Sequence, residues 1–255
     1  MNLEIIIKNY KEQGIIIKDE IEFKKWLTIK GIKRYSKVID ILQQHTGNIT
    51  DEHIYDLYRY DIRLRRNIIY YLTMLEVYMR AFINNRYENE SLSKSNVELF
   101  LRSILETGND KYLKESINDC MKILKKTKRH ETSFFDIIEE STMYLPINLI
   151  LCLDIRIINT IFDSNYSDYT IIEMNLNAIK ELRNKTFHHN ILLNTELKEC
   201  QPKKDLGNSL RENLTNLLYM LPRTYREGFK NAINNCIKDK HKGKLRIPEN
   251  LRVII

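Results

Sequence analysis

The stretch "IYDLYRYDIRLRRNIIYYLTMLEVYMRAFINNRY", residues 54–87, decides the fold class. Its apolar side chains recur at alternating spacings of three and four residues, which is the repeat of one face of an α-helix. The pattern extends over residues 51–88 and predicts a helix of about ten turns. Asp61 interrupts the apolar stripe. Because a carboxylate on a buried face needs a partner, we expect a nearby arginine such as Arg65, four residues later, to pair with it.

The rest of the chain also favours helices over strands. Its 255 residues include seven glycines and four prolines, so turns must be scarce, and long helices need fewer turns than many short strands. Only "EIIIKN", near the N-terminus, stays ambiguous between helix and strand. No shift in composition requires a domain boundary. The predicted fold class is therefore all-α, and we expect a single domain over residues 1–255.

Several further helices are predicted from local signals. The apolar segment "YLPINLILCLDIRIINTIF", residues 144–162, is typical of one buried helix with a proline near its first turn. "TIIE", residues 170–173, has the capping-box spacing and predicts a helix from about 171 to 189. Two more helices, 209–221 and 223–238, are expected on either side of Pro222.

Composition also limits the class of protein. The net charge of +7 favours a phosphate-bearing partner, which means RNA, DNA or a membrane surface, although the charge is also compatible with solubility alone. The four cysteines have no CxxC pair and no zinc-site spacing, so we expect no metal and a reducing cytoplasm. No apolar run is long enough to span a membrane and the N-terminus lacks a signal-peptide pattern, so we expect neither insertion nor export.

The stretch "LRNKTFHHN", residues 182–190, carries the strongest chemical signal. Histidine exchanges a proton near neutral pH, and arginine binds two phosphate oxygens with its planar guanidinium. Together they are sufficient to help the 2′-hydroxyl of RNA attack its own phosphate without a metal. By its spacing alone the pair is a weak signal, and the competing interpretation is two histidines at a helix end, hydrogen-bonded to carbonyl groups.

The sequence around this stretch resembles a known family. "LRNKTFHHNILLN", residues 182–194, is similar to the "LRN…HH…N" signature of the Abi family, the AbiD/AbiF-like abortive-infection proteins of bacteria, which belong to the HEPN superfamily. The resemblance continues in "KEQGIIIKDE" at 11–20, in the 54–87 stretch and in "IPENLR" at 247–252. Two positions depart from the family pattern: Asn148 stands where a tryptophan is usual, and Phe187 where an alanine is usual.

The resemblance implies a HEPN-type helical bundle with additional N- and C-terminal helices. Its core is expected at about residues 50–240, with an N-terminal helical extension over residues 1–49. It further implies a metal-independent endoribonuclease without a cofactor, acting as a toxin in antiphage defence. The expected products carry a 2′,3′-cyclic phosphate or 3′-phosphate and a 5′-hydroxyl. Partners implied by the resemblance are the RNA substrate, a second copy of the chain, and a small noncoding RNA that restrains the toxin.

The roles expected for individual residues follow from this reaction. His188 is the general acid or base, Arg183 binds the scissile phosphate, Asn184 positions it, and His189 supports His188 or replaces it. Glu76 and Arg80, which resemble a recurring pair of the family, are expected either to orient the motif or to form only an intrahelical ion pair. The basic residues expected to contact RNA are Lys125, Lys126, Lys128, Arg129, Lys185, Lys242, Lys244 and Arg246.

Two other classes of function stay open at this point. One is a non-catalytic protein that holds a small structured noncoding RNA in the same basic surface. The other is a protein-interaction bundle in which the motif only makes hydrogen bonds in the core. The first does not need His188, and the second predicts binding that is insensitive to salt.

Overall fold

The protein is described by a computed structural model. The residues that the structure describes are 2–87, 90–104, 110–127, 130–188, 191–193, 195–202, 206–239 and 243–255.

The described residues form twelve α-helices, which confirms the all-α prediction. The helices are α1 (Leu3–Glu12), α2 (Glu20–Lys30), α3 (Ile32–His45), α4 (Asp51–Tyr87), α5 (Val97–Ile104), α6 (Asp110–Thr127), α7 (Phe134–Glu140), α8 (Tyr144–Ile150), α9 (Ile155–Phe162), α10 (Tyr169–Phe187), α11 (Leu210–Met220) and α12 (Arg223–Asn234). A short 3₁₀ helix covers Glu249–Leu251. Four two-residue strands form two antiparallel pairs: β1 (Ser91–Leu92) with β2 (Thr132–Ser133), and β3 (Lys238–Asp239) with β4 (Gly243–Lys244).

The chain divides into two compact units. Unit 1 contains Met1–Ile69, Lys185–Glu196 and Phe229–Ile255, and unit 2 contains Tyr70–Asn184 and Leu197–Gly228. Unit 1 therefore holds α1–α3 and the first half of α4, and unit 2 holds α5–α9 and α11. The expected single domain over 1–255, with a core at 50–240 and an extension at 1–49, stays a prediction.

Helix α4 is the element that the opening stretch predicts. Its apolar stripe is buried through Ile54, Leu57, Leu64, Ile68 and, further along, the residues of unit 2 such as Leu75. The ambiguous segment near the N-terminus is helical and lies in α1. The Asn2 side chain caps the start of this helix by accepting a hydrogen bond from the backbone N–H of Glu4.

Three buried aspartates on the unit 1 half of α4 hold distant parts of the chain. The Asp51 carboxylate accepts hydrogen bonds from the backbone N–H groups of Lys18 and Asp19, at 3.0 and 3.3 Å. The Asp56 carboxylate accepts from the N–H of Arg246 at 3.1 Å. The Asp61 carboxylate, further along the helix, accepts from the N–H of Leu192 at 2.7 Å. The long helix thus satisfies backbone donors of three segments that are remote in sequence.

Other contacts of the same half of α4 fix the C-terminal region of unit 1. Arg63 donates to the carbonyl oxygen of Lys238 and forms an ion pair of 2.6 Å with Asp239. The Tyr60 hydroxyl accepts from the N–H of Val253 at 2.8 Å, and burial raises the pKa of Tyr60 to about 12. These contacts hold Lys238, Asp239 and Val253 against α4, outside any long helix.

Two local predictions are wrong. The apolar segment 144–162 is not one helix: α8 ends at Ile150, and α9 begins at Ile155 because the Asp154 side chain accepts from the N–H of Arg156 and caps a new helix. The expected capping box at 170–173 does not open α10. Asp168 caps it by accepting from the N–H of Thr170 at 2.8 Å, and Glu173 instead accepts from the Tyr112 hydroxyl.

The helices on either side of Pro222 are confirmed, although the second ends at Asn234 rather than at 238. The first of them, α11, begins with a complete capping box between Ser209 and Glu212.

Candidate functional site

Helix α10 carries the first part of the predicted motif. Its buried face includes Ile172, Leu176, Ile179 and Leu182, at the three- and four-residue spacing of a helix that packs one side into the core. Arg183 and Asn184, which follow this face, are both half-buried. The helix ends at Phe187, two residues earlier than the predicted end at 189.

The boundary between a unit 2 segment and a unit 1 segment falls within the motif. Arg183 and Asn184 are the last residues of a unit 2 segment, and Lys185, Phe187 and His188 belong to unit 1. His188 is exposed in the turn that follows α10, so its imidazole is open to a ligand from solvent. His189 lies outside the described residues, so its predicted role stays a prediction.

Asn184 has a defined partner in unit 2. Its side-chain nitrogen donates to the hydroxyl of Tyr144, the first residue of α8. The hydrogen bond leaves the amide oxygen of Asn184 as the atom that would accept from a ligand. The sequence did not indicate Tyr144, because the two residues are forty positions apart and nothing local links them.

A buried lysine lies on the same tyrosine. The ammonium of Lys180 is 5.3 Å from the centre of the Tyr144 ring, and it donates to the Asn148 side-chain oxygen at 2.6 Å. Asn148 in turn donates to Glu115 at 3.1 Å. Burial lowers the pKa of Lys180 to about 8, against the opposing effect of the nearby Glu115 carboxylate.

This network gives a physical reason for an asparagine at position 148, where the resemblance stated from the sequence leads us to expect a tryptophan. An apolar tryptophan at position 148 offers Lys180 no oxygen atom, whereas the Asn148 amide accepts from the ammonium and passes a hydrogen bond to a carboxylate. A buried ammonium needs such an acceptor, because burial without a hydrogen bond is costly. Asn148 therefore supplies the acceptor that the buried ammonium of Lys180 needs.

The segment after His188 is fixed from α4. Asp61 forms the expected ion pair with Arg65, with 2.6 Å between oxygen and nitrogen, and both side chains are buried. The other Asp61 oxygen accepts from the N–H of Leu192. Burial raises the pKa of Asp61 above its ordinary value, and Arg65 together with the amides of Leu192 and Leu193 opposes that rise. The sequence indicated the partner on the helix but not the anchor at Leu192.

Glu76 and Arg80 form an ion pair of 2.7 Å within unit 2. Arg80 also donates to the carbonyl oxygens of Glu139 and Ser141, at the end of α7. These carbonyl groups have no partner inside the helix, so Arg80 satisfies a helix terminus. The expected intrahelical ion pair is present, but Arg80 also binds the end of α7, and the expected orienting role of the pair stays a prediction.

The predicted RNA-binding residues are distributed over both units. Lys125 and Lys126 are exposed in the last turn of α6, in unit 2. Lys185, Lys244 and Arg246 belong to unit 1, where Arg246 forms an ion pair with Glu52. Lys128, Arg129 and Lys242 lie outside the described residues.

Three further features concern the cysteines, possible metal ligands and possible membrane-spanning helices. All four cysteines are buried as free thiols. Within the described ranges, no group of three or more histidine, cysteine or acidic side chains is arranged to hold a metal ion. The same ranges contain no helix that is both long and apolar enough to cross a membrane.

Comparison with known proteins gives one result. The family model described as Abi-like protein matches residues 23–194, which include most of α2, all of α3–α10, and Leu192, whose backbone N–H binds Asp61. Searches of curated proteins and of solved structures find no match. The match covers well over half of the chain and ends just beyond the arginine–histidine motif. The chain belongs to the Abi-like protein family, whose name refers to abortive infection.

Proposed function

We propose that this protein is a metal-independent endoribonuclease of the HEPN type, acting as a toxin in abortive-infection defence against phage. The observation that supports the proposal most is the position of His188. It is exposed directly after α10, five residues beyond the half-buried Arg183, in a segment that a buried aspartate holds in place.

The proposed reaction uses the 2′-hydroxyl of RNA as the nucleophile. His188 exchanges the proton that moves between the 2′-hydroxyl, the imidazole and the leaving 5′-oxygen. The Arg183 guanidinium neutralises the charge that develops on the phosphate oxygens. Asn184 donates one amide N–H to Tyr144 and keeps a second N–H, with which it positions the phosphate.

The proposal includes a homodimer and an RNA partner. One chain supplies one Arg183 and one His188, and two-fold symmetry places a second copy of each against the same substrate if the motif lies at the dimer axis. The net charge of +7 is compatible with binding both a substrate RNA and a small noncoding RNA that restrains the toxin. Action in the cytoplasm is part of the same proposal.

The proposal is tested by RNA cleavage in EDTA with protein freed of copurified RNA. Wild type should cut. His188→Ala should lose roughly 10²- to 10⁴-fold in rate, because a positioned acid or base contributes about that much. Arg183→Lys should also be strongly impaired, since a lysine cannot bind two phosphate oxygens with one planar group. His130→Ala, an exposed histidine of unit 2, is the matched control and should cut normally.

Circular dichroism and thermal melting of each variant separate a chemical loss from a loss of fold. If folded His188→Ala cuts as well as the control, the catalytic role of His188 is wrong. If no protein cuts but all bind structured RNA with equal affinity, the competing function as a non-catalytic RNA holder takes its place.

A further inference from the structure

A pocket of about 500 Å³ lies in unit 1, between α3 and the segment that carries His188. Lys185 and Ile191, which line it, flank His188 in the sequence on either side. The volume is within the ~300–1,000 Å³ range of small-molecule sites. The pocket is therefore formed by the same short stretch of chain that holds the proposed acid or base.

One helical face supplies the opposite wall. Lys37, Asp40, Ile41 and Gln44 line the pocket from α3, and their spacing places them on one side of the helix. Ile41 and Ile191 are 4% and 7% exposed, so only a small apolar area of each is open at the floor of the pocket. Lys37, Asp40 and Gln44 are exposed. They form no hydrogen bond or ion pair with the described part of the chain.

The polar groups of the pocket select one kind of ligand. Asp40 is the carboxylate among the residues that line it, and a carboxylate accepts two parallel hydrogen bonds from neighbouring donors. Among the four RNA bases, guanine alone presents two adjacent donors, N1–H and N2–H₂, on its Watson–Crick edge. Adenine and cytosine pair one donor with a ring acceptor, and uracil has one ring N–H between two carbonyl groups. The two lysines suit the phosphates on either side of such a base.

We propose that this pocket binds a guanine base of single-stranded RNA beside the bond to be cut, with Asp40 accepting from its N1–H and N2–H₂. The base lies between α3 and the segment that carries Lys185 and Ile191, Gln44 reaches its outer edge, and Lys37 and Lys185 contact the flanking phosphates. The inference rests on the proposed function, since it makes Asp40 the residue that determines base preference for that reaction.

The test measures binding separately from cleavage. Short oligouridine RNAs that contain a single guanosine, inosine or adenosine are titrated into His188→Ala protein by fluorescence anisotropy. Inosine keeps N1–H but lacks the N2 amino group. We expect guanosine to bind roughly 10-fold more tightly than adenosine, with inosine in between, which is the discrimination typical of one bidentate contact.

Adding Asp40→Asn to this protein should remove the preference for guanosine, because a neutral amide offers one acceptor beside a donor. Asp110→Asn is the matched control: it removes the same charge from an exposed position in unit 2 and should leave the order of the three RNAs unchanged. Equal binding of the three RNAs, or an order that Asp40→Asn leaves unchanged, overturns the inference.

Cleavage sites mapped for the wild type distinguish this failure from failure of the proposed function. Cutting without any preference for guanine supports the nuclease function and contradicts guanine binding in this pocket. If binding depends on guanine and on Asp40 but the wild type does not cut RNA, guanine binding is supported and the nuclease function is contradicted.

Discussion

At the scale of single residues, buried polar groups organise this protein. Asp51, Asp56 and Asp61 are almost fully buried on α4, and each accepts a backbone N–H from a distant segment. Such groups are costly to leave without partners, so they specify which segments lie against the helix. Asp61 matters most for the proposed function, because the Leu192 segment that it fixes follows His188.

Asp61→Ala should destabilise the protein by about 3 kcal/mol or more, because it removes the carboxylate from a buried ion pair and an acceptor from Leu192. Urea unfolding measures the change in free energy. Asp61→Asn keeps one oxygen for Leu192 and should cost less. Adding Arg65→Met to Asp61→Ala should recover part of the loss, since the arginine no longer needs an anion. A loss below 1 kcal/mol for Asp61→Ala contradicts this account.

Lys180 gives a prediction about pH. Its pKa is lowered to about 8 in the folded protein, whereas an unfolded lysine titrates near ~10.4. Between these values the unfolded chain binds more protons than the folded one, so this residue's contribution to stability rises with pH. The difference in unfolding free energy between wild type and Lys180→Met should therefore shift in favour of wild type from pH 8 to pH 10.

Taking the difference between the two proteins cancels the cysteines and tyrosines, whose raised pKa values act in the opposite direction. A difference that stays constant from pH 7 to pH 10 is the result that contradicts a buried, readily deprotonated Lys180.

At the scale of elements, periodicity predicted helices and local chemistry set their ends. Helix α4 was predictable because its apolar stripe repeats over many turns, and each turn adds to the same signal. The break between α8 and α9 was not predictable, because the apolar pattern of residues 144–162 continues on both sides of Asp154. The start of α10 was predicted wrongly because Asp168 and Thr170 both have side chains that can cap a helix. Glu173 does not complete a capping box because it accepts a hydrogen bond from the Tyr112 hydroxyl.

The site was predictable to a similar degree. The motif residues stood out by their chemistry, and Arg65 was expected from its spacing to Asp61. The contacts of Asn184 with Tyr144 and of Asp61 with Leu192 were not predictable, since they join residues forty or more positions apart with no local pattern. The pocket beside Lys185 was missed because its walls come from two distant segments of unit 1.

The cap of α10 supports the helix that carries Arg183. Asp168→Ala should cost about 1 kcal/mol, because it leaves the N–H of Thr170 without its side-chain acceptor. Asp168→Asn keeps an oxygen at that position and should remain close to wild type in thermal melting. Equal losses for the two variants point to the charge of Asp168 rather than its hydrogen bond as the source of stability.

At the scale of the whole molecule, the proposed reaction uses two copies of the chain. A chain of 30.6 kDa should sediment as a particle of twice that mass once copurified RNA has been removed. Mixing Arg183→Ala with His188→Ala protein should then restore part of the activity that neither has alone, because a mixed dimer brings one intact arginine and one intact histidine together. A monomer that cuts RNA at full rate contradicts the shared site.

In the proposed reaction RNA supplies its own nucleophile and the protein needs no metal. The most direct test is the chemistry of the product ends left by wild-type protein in EDTA. We expect a 2′,3′-cyclic phosphate or 3′-phosphate on one fragment and a 5′-hydroxyl on the other. We also expect no cut where the nucleotide carrying the attacking 2′-hydroxyl is replaced by its 2′-deoxy form. Fragments with 5′-phosphate and 3′-hydroxyl ends, or equal cutting at the 2′-deoxy position, would show that RNA does not supply the nucleophile.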